Sequence, residues 1–351
     1  MIWLLLACAK DVEDSATPIT NYSEKGPYNA GHSRVLLTEN ERPLTVEVWY
    51  PTQDALAPQL LPGAFLSGTQ ESQYQELLNS GNPGCATEET QATFQATPLP
   101  GEHPLVVFSH CHECVRFSSF TVAEHLASWG FVVAAPDHAG NTLWEKLSES
   151  GLPLNAETLA LRFQDQQQVL DAMLIGGPEG VQVDPDRVAA MGHSFGSVTS
   201  GLLAQEDSRV KGALGLAAPM ENPLLPGVET STLDKPLAIL LAVEDNSITA
   251  LGNQLIVSNM EEAPNTAYRL DVADAGHWSV SDIAGLDPAF QAGCGTDERM
   301  TDGTEFEYLD PAQGSAIAGH FAAAFMAELL LGERGAVVGQ TFDGDLVSGD
   351  R

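Results

Sequence analysis

The feature that most constrains this chain of 351 residues is a serine between two glycines, Gly192-His193-Ser194-Phe195-Gly196, in the pattern G-x-S-x-G. The apolar run "RVAAMGH" that leads into it predicts a buried strand, and the residues from Phe195 onwards predict a helix. Flanking glycines let the chain turn sharply from strand to helix, which leaves the serine hydroxyl exposed above the sheet. The pattern therefore predicts a nucleophile at Ser194, and a glycine-rich turn capped by this serine is the plainer alternative.

Apolar runs alternate with helical patterns along the rest of the chain, which indicates an α/β fold with a mostly parallel sheet. An early run, "RPLTVEVWYPT", alternates apolar and polar positions as a half-exposed strand does. The other predicted strands are "PLVVFSH", "FVVAAPDH", "RVAAMGH", "VKGALGLAAP", "KPLAILLAVED" and, last, "AYRLDVADAGH". Helices are predicted through "FTVAEHLASWG", over residues 155–175 and 250–259, and in a final helix with Ile317, Phe321, Phe325 and Leu329 on one face.

Two polar stretches interrupt this pattern. Residues 53–101 are rich in Gln, Pro, Gly and Thr and are too long for a simple loop, so we expect an insertion packed on the surface after the second strand. Residues 281–313 form an excursion before the final helix. We therefore expect one domain over residues 31–331, preceded by a signal and tether over residues 1–30 and followed by a loose acidic tail over residues 332–351.

A serine nucleophile needs a histidine base and an acid that orients this histidine. After a G-x-S-x-G turn of this kind, the acid and then the histidine follow the serine along the chain. Two histidines follow Ser194: His277 ends a predicted strand on a glycine-flanked loop, and His320 lies inside the final helix. Asp245 ends a strand at the edge that also presents the serine, with an ordinary N-cap as its alternative role. We therefore predict a triad of Ser194, Asp245 and His277.

The charge balance excludes some classes of partner. Lys and Arg total 15 against 48 Asp and Glu, which gives a formal net charge of -33. Such a surface repels phosphate backbones and anionic lipid headgroups, so we expect no nucleic-acid partner.

The first residues, "MIWLLLACAK", indicate export. Seven apolar residues are too few to span a bilayer. However, Leu5-Leu6-Ala7-Cys8 resembles the lipobox of bacterial lipoproteins, in which the cysteine after the cleavage site carries lipid. The alternative is an apolar N-terminus that is disordered or packed into the core. We expect an exported protein, either a lipoprotein or a secreted or periplasmic one, whose only membrane contact is an anchor at Cys8.

The four remaining cysteines favour two disulfides in an exported chain, with three connectivities to choose from. Two of them lie in "FSHCHECVRF", where histidines, cysteines and a glutamate fill positions 110–114. A zinc site there would need four ligands within five residues, which strains the backbone, and no partner cluster occurs elsewhere. We favour a local bridge between Cys111 and Cys114, which leaves Cys85 to pair with Cys294. In a reducing compartment all four would be free thiols.

These motifs together resemble the α/β-hydrolase superfamily and, more narrowly, the bacterial predicted dienelactone hydrolases and the platelet-activating-factor acetylhydrolase group. The resemblance covers residues 31–282 apart from the insertion, and it implies an α/β-hydrolase fold and a serine esterase. The motifs that carry it are "RPLTVEVWYPT", "HPLVVFSH", "LASWGFVVAAPDHAGNT", "VDPDRVAAMGHSFGS" and "DAGHWSVSD".

Two positions depart from these families. Dienelactone hydrolases use a cysteine nucleophile where this chain has Ser194. The acetylhydrolases carry their acid after the sixth strand, where this chain has Ala217-Ala218-Pro219-Met220. The acid must therefore be Asp245, at the position that cutinase-like polyester hydrolases use.

The resemblance also implies an oxyanion hole. The segment after "PLVVF" stands where the family has H-G-x-x-G, so the backbone N–H groups of His112 and Phe195 are the expected donors. Cys111 replaces the usual glycine. A disulfide at this position would stiffen the loop, which favours catalysis because fixed donors need not reorient.

We therefore expect a serine carboxylic ester hydrolase that forms an acyl-enzyme and needs no metal or organic cofactor. Trp278 and Phe195 flank the triad and are expected to line an apolar acyl site, with simple packing as the alternative. Short acyl esters, phospholipid-type esters and polyesters all remain open as substrates. The alternatives from other classes are a catalytically silent cell-surface binding protein and thiol chemistry at Cys111 and Cys114.

Overall fold

The computed structural model of this chain describes residues 20–38, 42–178 and 180–349. Its strands are β1 Asn29–Leu37, β2 Leu44–Thr52, β3 Gln59–Leu60, β4 Glu89–Thr90, β5 Thr93–Phe94, β6 Glu102–Ser109, β7 Val132–Pro136, β8 Gln182–His193, β9 Val210–Leu216, β10 Leu237–Ala242, β11 Ala267–Val272, β12 Thr296–Glu298, β13 Glu305–Glu307 and β14 Asp345–Gly349. Its helices are α1 Gly68–Ser80, α2 Phe120–Ser128, α3 Leu143–Leu147, α4 Ala156–Gly176, α5 Phe195–Glu206, α6 Thr249–Glu262 and α7 Pro311–Met326, which a π-helical stretch extends over Ala327–Leu331.

A ten-stranded sheet forms the centre of the molecule, in the order β14-β11-β10-β9-β8-β6-β7-β2-β1-β5. Six neighbouring strands, from β11 to β7 in this order, run parallel, and antiparallel strands flank them on both sides. Parallel neighbours need long crossovers, which the helices supply. The predicted α/β class with a mostly parallel sheet is confirmed.

The sheet separates two apolar layers, because successive side chains of a strand point to opposite faces. On β6, Val106 and Phe108 join the layer that contains α2 and α7, whereas Leu105 and Val107 join the layer that contains α4, α5 and α6. Covering both faces explains why the parallel strands read as continuous apolar runs. The stretch Pro311–Leu331 is long and apolar enough to cross a membrane, but 78% of its most apolar window is buried within the fold, as in a core helix.

Strand β2 is buried on both faces, so the expectation of a half-exposed strand is wrong. Trp49 is 1% exposed and Glu47 is fully buried. Phe65 of the insertion packs against Trp49. Arg116 donates to the Glu47 carboxylate at 3.1 Å, and Nδ1 of His32 lies 2.8 Å from it. Glu47, a polar residue of the alternating pattern, therefore belongs to a buried charged cluster and does not face water.

Both ends of the described chain also differ from expectation. Tyr22 lies within the predicted tether, but it is 2% exposed and its hydroxyl donates to Glu333 at 2.6 Å, so this residue is packed on the domain. The acidic tail is not loose, because β14 pairs antiparallel with β11 and becomes the last strand of the sheet. Without it, β11 would be an open edge with unpaired N–H and C=O groups. The lipid-anchor candidate Cys8 lies outside the described residues.

The insertion and the excursion are tied to each other and to α2. A disulfide joins Cys85 of the insertion to Cys294 of the excursion. The N–H and the hydroxyl of Thr121, in the first turn of α2, both donate to Asp282 at 2.9 Å. These hydrogen bonds satisfy free N–H groups at the start of the helix and offset part of the cost of burying the Asp282 carboxyl group. The insertion and the excursion thus form one cross-linked cover over α2.

Two carboxyl groups are buried where this cover meets α2, Glu124 of the helix and Asp282 of the excursion. Glu124 of α2 accepts hydrogen bonds from the hydroxyl of Thr90 and the N–H of Gln91. Burial raises the pKa of Glu124 to about 7 and the pKa of Asp282 to about 6. A carboxyl group whose pKa is raised on folding binds its proton more tightly in the folded state. Their ionisation therefore lowers the free energy of unfolding as the pH rises from about 4.5 to about 8.

Replacing Glu124 by Gln should stabilise the protein more at pH 8 than at pH 5. The wild-type group is a buried carboxylate at the higher pH, whereas glutamine stays neutral, and the gain is at most about 3 kcal/mol for a shift of this size. Thermal unfolding of variant and wild type at both pH values measures the difference. Glu157→Gln, on the exposed side of α4, is the control that measures how the loss of a solvated carboxylate changes Tm at the two pH values. A pH-independent difference for Glu124→Gln would contradict the raised pKa.

Candidate active site

Ser194 lies on the turn between β8 and α5. Its φ of 56° and ψ of −120° place it in a region that residues with side chains rarely adopt. A Cβ at Gly192 would overlap the backbone of Gly196, and a Cβ at Gly196 would overlap the carbonyl of Ser109. Within residues 188–201, Ser194 alone is not buried. The two glycines of the motif are thus required by close backbone approach, and the turn presents the serine to solvent.

The three residues of the predicted triad meet at the carboxyl edge of the sheet. Ser194 Oγ lies 2.7 Å from His277 Nε2, and His277 Nδ1 lies 2.7 Å from Asp245 Oδ2. Asp245 is fully buried and His277 is 3% exposed. The N–H groups of Ser247 and Ile248 both donate to Asp245 Oδ1 at 3.0 Å, which leaves the other carboxylate oxygen facing the histidine. The geometry is that of a nucleophile, a base and an orienting acid.

His193, the second residue of the motif, is hydrogen-bonded to the loop that carries His277. Its Nε2 lies 2.8 Å from the carbonyl oxygen of His277, to which the N–H donates. Burial lowers the pKa of His193 to about 3, and the neighbouring His277 adds to this effect. A neutral ring that donates one hydrogen bond therefore links the turn of Ser194 to the loop of His277. The sequence pattern gives no signal for this role, because G-x-S-x-G leaves that position free.

Trp278 packs against the triad. It is 5% exposed, and its ring contacts the rings of His193, His277 and Phe290. Phe195 is 3% exposed. Both rings therefore fit the packing alternative better than an open acyl site.

The excursion braces the loop that carries Asp245. Asn246 Nδ2 donates to the Tyr308 hydroxyl oxygen at 2.9 Å. On the other side of Asp245, the Thr301 hydroxyl donates to Glu244 at 2.7 Å. Both neighbours of the acid are thus tied to the β12–β13 hairpin. The sequence could not show this because the excursion has no periodic pattern.

The β6 loop, residues 110–114, is closed by a disulfide between Cys111 and Cys114, which together with Cys85–Cys294 is the connectivity favoured from the sequence. The residue of this loop with a positive φ is Glu113, at 57°. A side chain at Cys111, where the family has glycine, therefore needs no left-handed backbone. The His112 ring lies edge-on to the Phe195 ring, with centroids 6.0 Å apart. Phe195 begins α5, where backbone N–H groups lack intrahelical acceptors. The two expected oxyanion donors thus lie on facing segments.

A second serine–histidine–aspartate arrangement lies beneath this loop. His138 Nε2 is 2.9 Å from Ser109 Oγ, and His138 Nδ1 is 3.0 Å from Asp165. All three are at most 1% exposed, so no substrate reaches them. Burial holds the pKa of His138 well below its ordinary value. This network is structural, and exposure distinguishes it from the group around Ser194. Within the described ranges, no cluster of three or more His, Cys, Asp or Glu side chains is placed to hold a metal ion.

Two family models match overlapping parts of the chain. The model of platelet-activating factor acetylhydrolase, isoform II, matches residues 15–147, and that of the dienelactone hydrolase family matches residues 92–278. A platelet-activating factor acetylhydrolase of Bos taurus is 30% identical over 169 residues, which are 37% of this chain. The chain spans only 38% of the length of that relative.

Among solved structures, a ferulic acid esterase from Streptomyces cinnamoneus is similar, with a TM-score of 0.70 and 21% sequence identity. The match covers 95% of this chain and 98% of that one. This likeness shows a shared fold, so the predicted α/β-hydrolase fold is confirmed.

Removing the two disulfides should lower stability unequally. Cys85 and Cys294 are 209 positions apart, whereas Cys111 and Cys114 are 3 apart. In the chain-entropy model a bridge stabilises more when it closes a longer loop, about 5 kcal/mol against about 2 kcal/mol for these two. Scanning calorimetry of C85A/C294A should therefore show a larger fall in Tm than that of C111A/C114A. Equal falls, or the reverse order, would contradict this account.

Proposed function

Because this chain belongs to the dienelactone hydrolase family within the α/β-hydrolase superfamily, we propose that it is a carboxylic ester hydrolase with Ser194 as its nucleophile. The observation that carries the proposal is the line of hydrogen bonds from Ser194 through His277 to Asp245, with 2.7 Å at both steps. The relatives named as acetylhydrolase and ferulic acid esterase support an ester as the substrate. Ser194 takes the place of the cysteine nucleophile of dienelactone hydrolases, so the histidine must act as a general base.

In the first half of the proposed reaction, Ser194 Oγ attacks the ester carbonyl carbon while His277 Nε2 takes the hydroxyl proton. The Asp245 carboxylate stabilises the imidazolium that forms. The carbonyl oxygen becomes an oxyanion that the N–H groups of His112 and Phe195 stabilise. His277 then gives its proton to the leaving alkoxide, the C–O bond breaks, and the acyl group stays on the serine.

In the second half, a water molecule takes the place of the alcohol. His277 accepts a proton from this water as it attacks the acyl carbonyl, and the same two amides stabilise the second tetrahedral intermediate. The bond to Ser194 Oγ then breaks, the serine regains its proton from the imidazolium, and the carboxylic acid leaves. Each group finishes in its starting state.

We also propose that the protein works outside a reducing cytosol. It carries two disulfides, and such bridges persist in oxidising compartments. A lipid anchor at Cys8 would then hold the enzyme at a membrane surface and leave the domain in contact with water.

Ser194→Ala should lower kcat for p-nitrophenyl acetate and butyrate by about 10⁴-fold or more, and Asp245→Asn by about 10⁴-fold, because each breaks the triad. Initial rates on both esters measure this, and comparing the two acyl lengths ranks them as substrates. Ser200→Ala is the matched control, because this buried hydroxyl of α5 has no hydrogen-bond partner among the described residues. It should keep the wild-type kcat. Equal rates for Ser194→Ala and wild type would favour the silent binding protein.

A further inference from the structure

Arg162 of α4 is a fully buried cation beneath the β6 loop. No ion pair between described residues includes it. The acid nearest to it along α4, Asp165, is instead paired with Arg42 at 3.0 Å and with His138 at 3.0 Å. Asp165 acts on Arg162 only through a charge interaction without an ion pair. Burying a cation without a direct ion pair is costly, so such an arrangement is retained where another need outweighs the cost. Burial lowers the pKa of Arg162 to about 9, which leaves it charged at neutral pH.

The hydrogen bonds of the Arg162 guanidinium all go to uncharged oxygens, most of them on the segment that leads into the β6 loop. The guanidinium also lies 4.5 Å from the centre of the Phe195 ring. Its acceptors are Asn141 Oδ1 at 2.6 Å, the Cys111 carbonyl at 3.4 Å, Ser109 Oγ at 3.0 Å, the His110 carbonyl and Thr199 Oγ1 at 3.2 Å.

The carbonyl of Cys111 and the N–H of His112 belong to one planar trans peptide, in which they point in opposite directions. Donors that hold this carbonyl toward the core therefore direct the His112 N–H away from it. His110 is a second donor: its Nδ1 lies 2.7 Å from the Cys111 carbonyl, while its Nε2 accepts the His138 N–H at 3.0 Å. The peptide that carries the expected oxyanion donor is thus held from its carbonyl end.

We propose that Arg162 is a positioning residue of the oxyanion hole, an inference that rests on the proposed esterase function. Its guanidinium fixes the peptide that presents the His112 N–H and packs on the ring of Phe195, which supplies the other N–H. Donation to a carbonyl polarises the peptide and makes its N–H a stronger donor. The negative oxygen of the tetrahedral intermediate adds a counter-charge that the bound ester lacks, so Arg162 stabilises this intermediate more than the bound ester.

The test compares Arg162→Met and Arg162→Lys with the matched control Arg116→Lys. Arg116 is 3% exposed but pairs with Glu47 and Asp137. The amplitude of the initial burst of p-nitrophenol gives the concentration of active sites. Dividing the rate by this concentration keeps misfolded protein out of kcat. We expect Arg162→Met to lower kcat per active site by about 10²-fold, with KM changed less than about threefold. The kcat of Arg162→Lys should lie between those of Arg162→Met and wild type, because lysine keeps the charge but lacks the several N–H donors of the guanidinium. Arg116→Lys should lower Tm and keep kcat.

A trifluoromethyl ketone gives the readout that a purely structural role would not change. Its adduct with Ser194 carries an oxyanion, so its affinity should fall in each Arg162 variant by the same factor as kcat/KM. Wild-type kcat per active site in both Arg162 variants, or a change in KM alone, would overturn the inference. If neither variant folds, Thr199→Val removes the acceptor of Arg162 Nε together with the hydroxyl that donates to the Phe195 carbonyl. It should lower kcat at constant KM, and a wild-type kcat there would overturn the inference.

The two proposals fail in different ways. A fully active Ser194→Ala variant would remove the proposed function and this inference with it. An inactive Ser194→Ala variant beside fully active Arg162 variants would remove this inference alone.

Discussion

The close approach of α5 to the ends of β6 and β9 is the contact on which the rest of the site depends. Gly196 lies against the carbonyl of Ser109, and Gly215 of β9 leaves room for the hydroxyl of Ser197. Any side chain at these positions would push the helix away from the sheet. The strain at Ser194, of order 1–3 kcal/mol for such a backbone, persists because the packed strands on both sides determine it. This contact brings Ser194, the start of α5 and the β6 loop together at one sheet edge.

Around that contact, the sheet sets the positions of the site residues, and the insertion and the excursion hold the site loops in place. Asp245 and His277 lie on loops that follow parallel strands, and loops are ordinarily the mobile part of a fold. Here the excursion holds the neighbours of Asp245, and the carbonyl of His277 accepts the hydrogen bond from His193. The Cys85–Cys294 disulfide joins the excursion to the insertion. A reactive group needs such support because a misplacement of about 1 Å can cost 10²-fold in rate.

The sequence was most informative where structure is local. Apolar runs and helical spacing predicted the parallel strands and the main helices, and the chain order of Ser194, Asp245 and His277 followed from one motif. The pairing of strands that are distant in the sequence was not predictable, since no pattern in the tail indicates that β14 pairs with β11. The burial of polar residues within apolar patterns was also not predictable. Glu47 and Arg162 are buried, and their hydrogen-bond partners are distant in the sequence. The position of Arg162 could have been recognised, because it lies one turn after Leu159 on the apolar side of its helix. A charged residue at such a position indicates a buried polar network.

The proposed reaction requires that His277 activates the hydroxyl of Ser194. A fluorophosphonate probe tests this most directly, because it bonds covalently to a serine only when a base removes its proton. After reaction with the folded protein, peptide mapping by mass spectrometry should find a single adduct on Ser194, and labelling of His277→Ala should be slower by roughly 10²-fold or more. An adduct on another residue, no adduct on the folded wild type, or equal labelling rates for the two proteins would contradict the account.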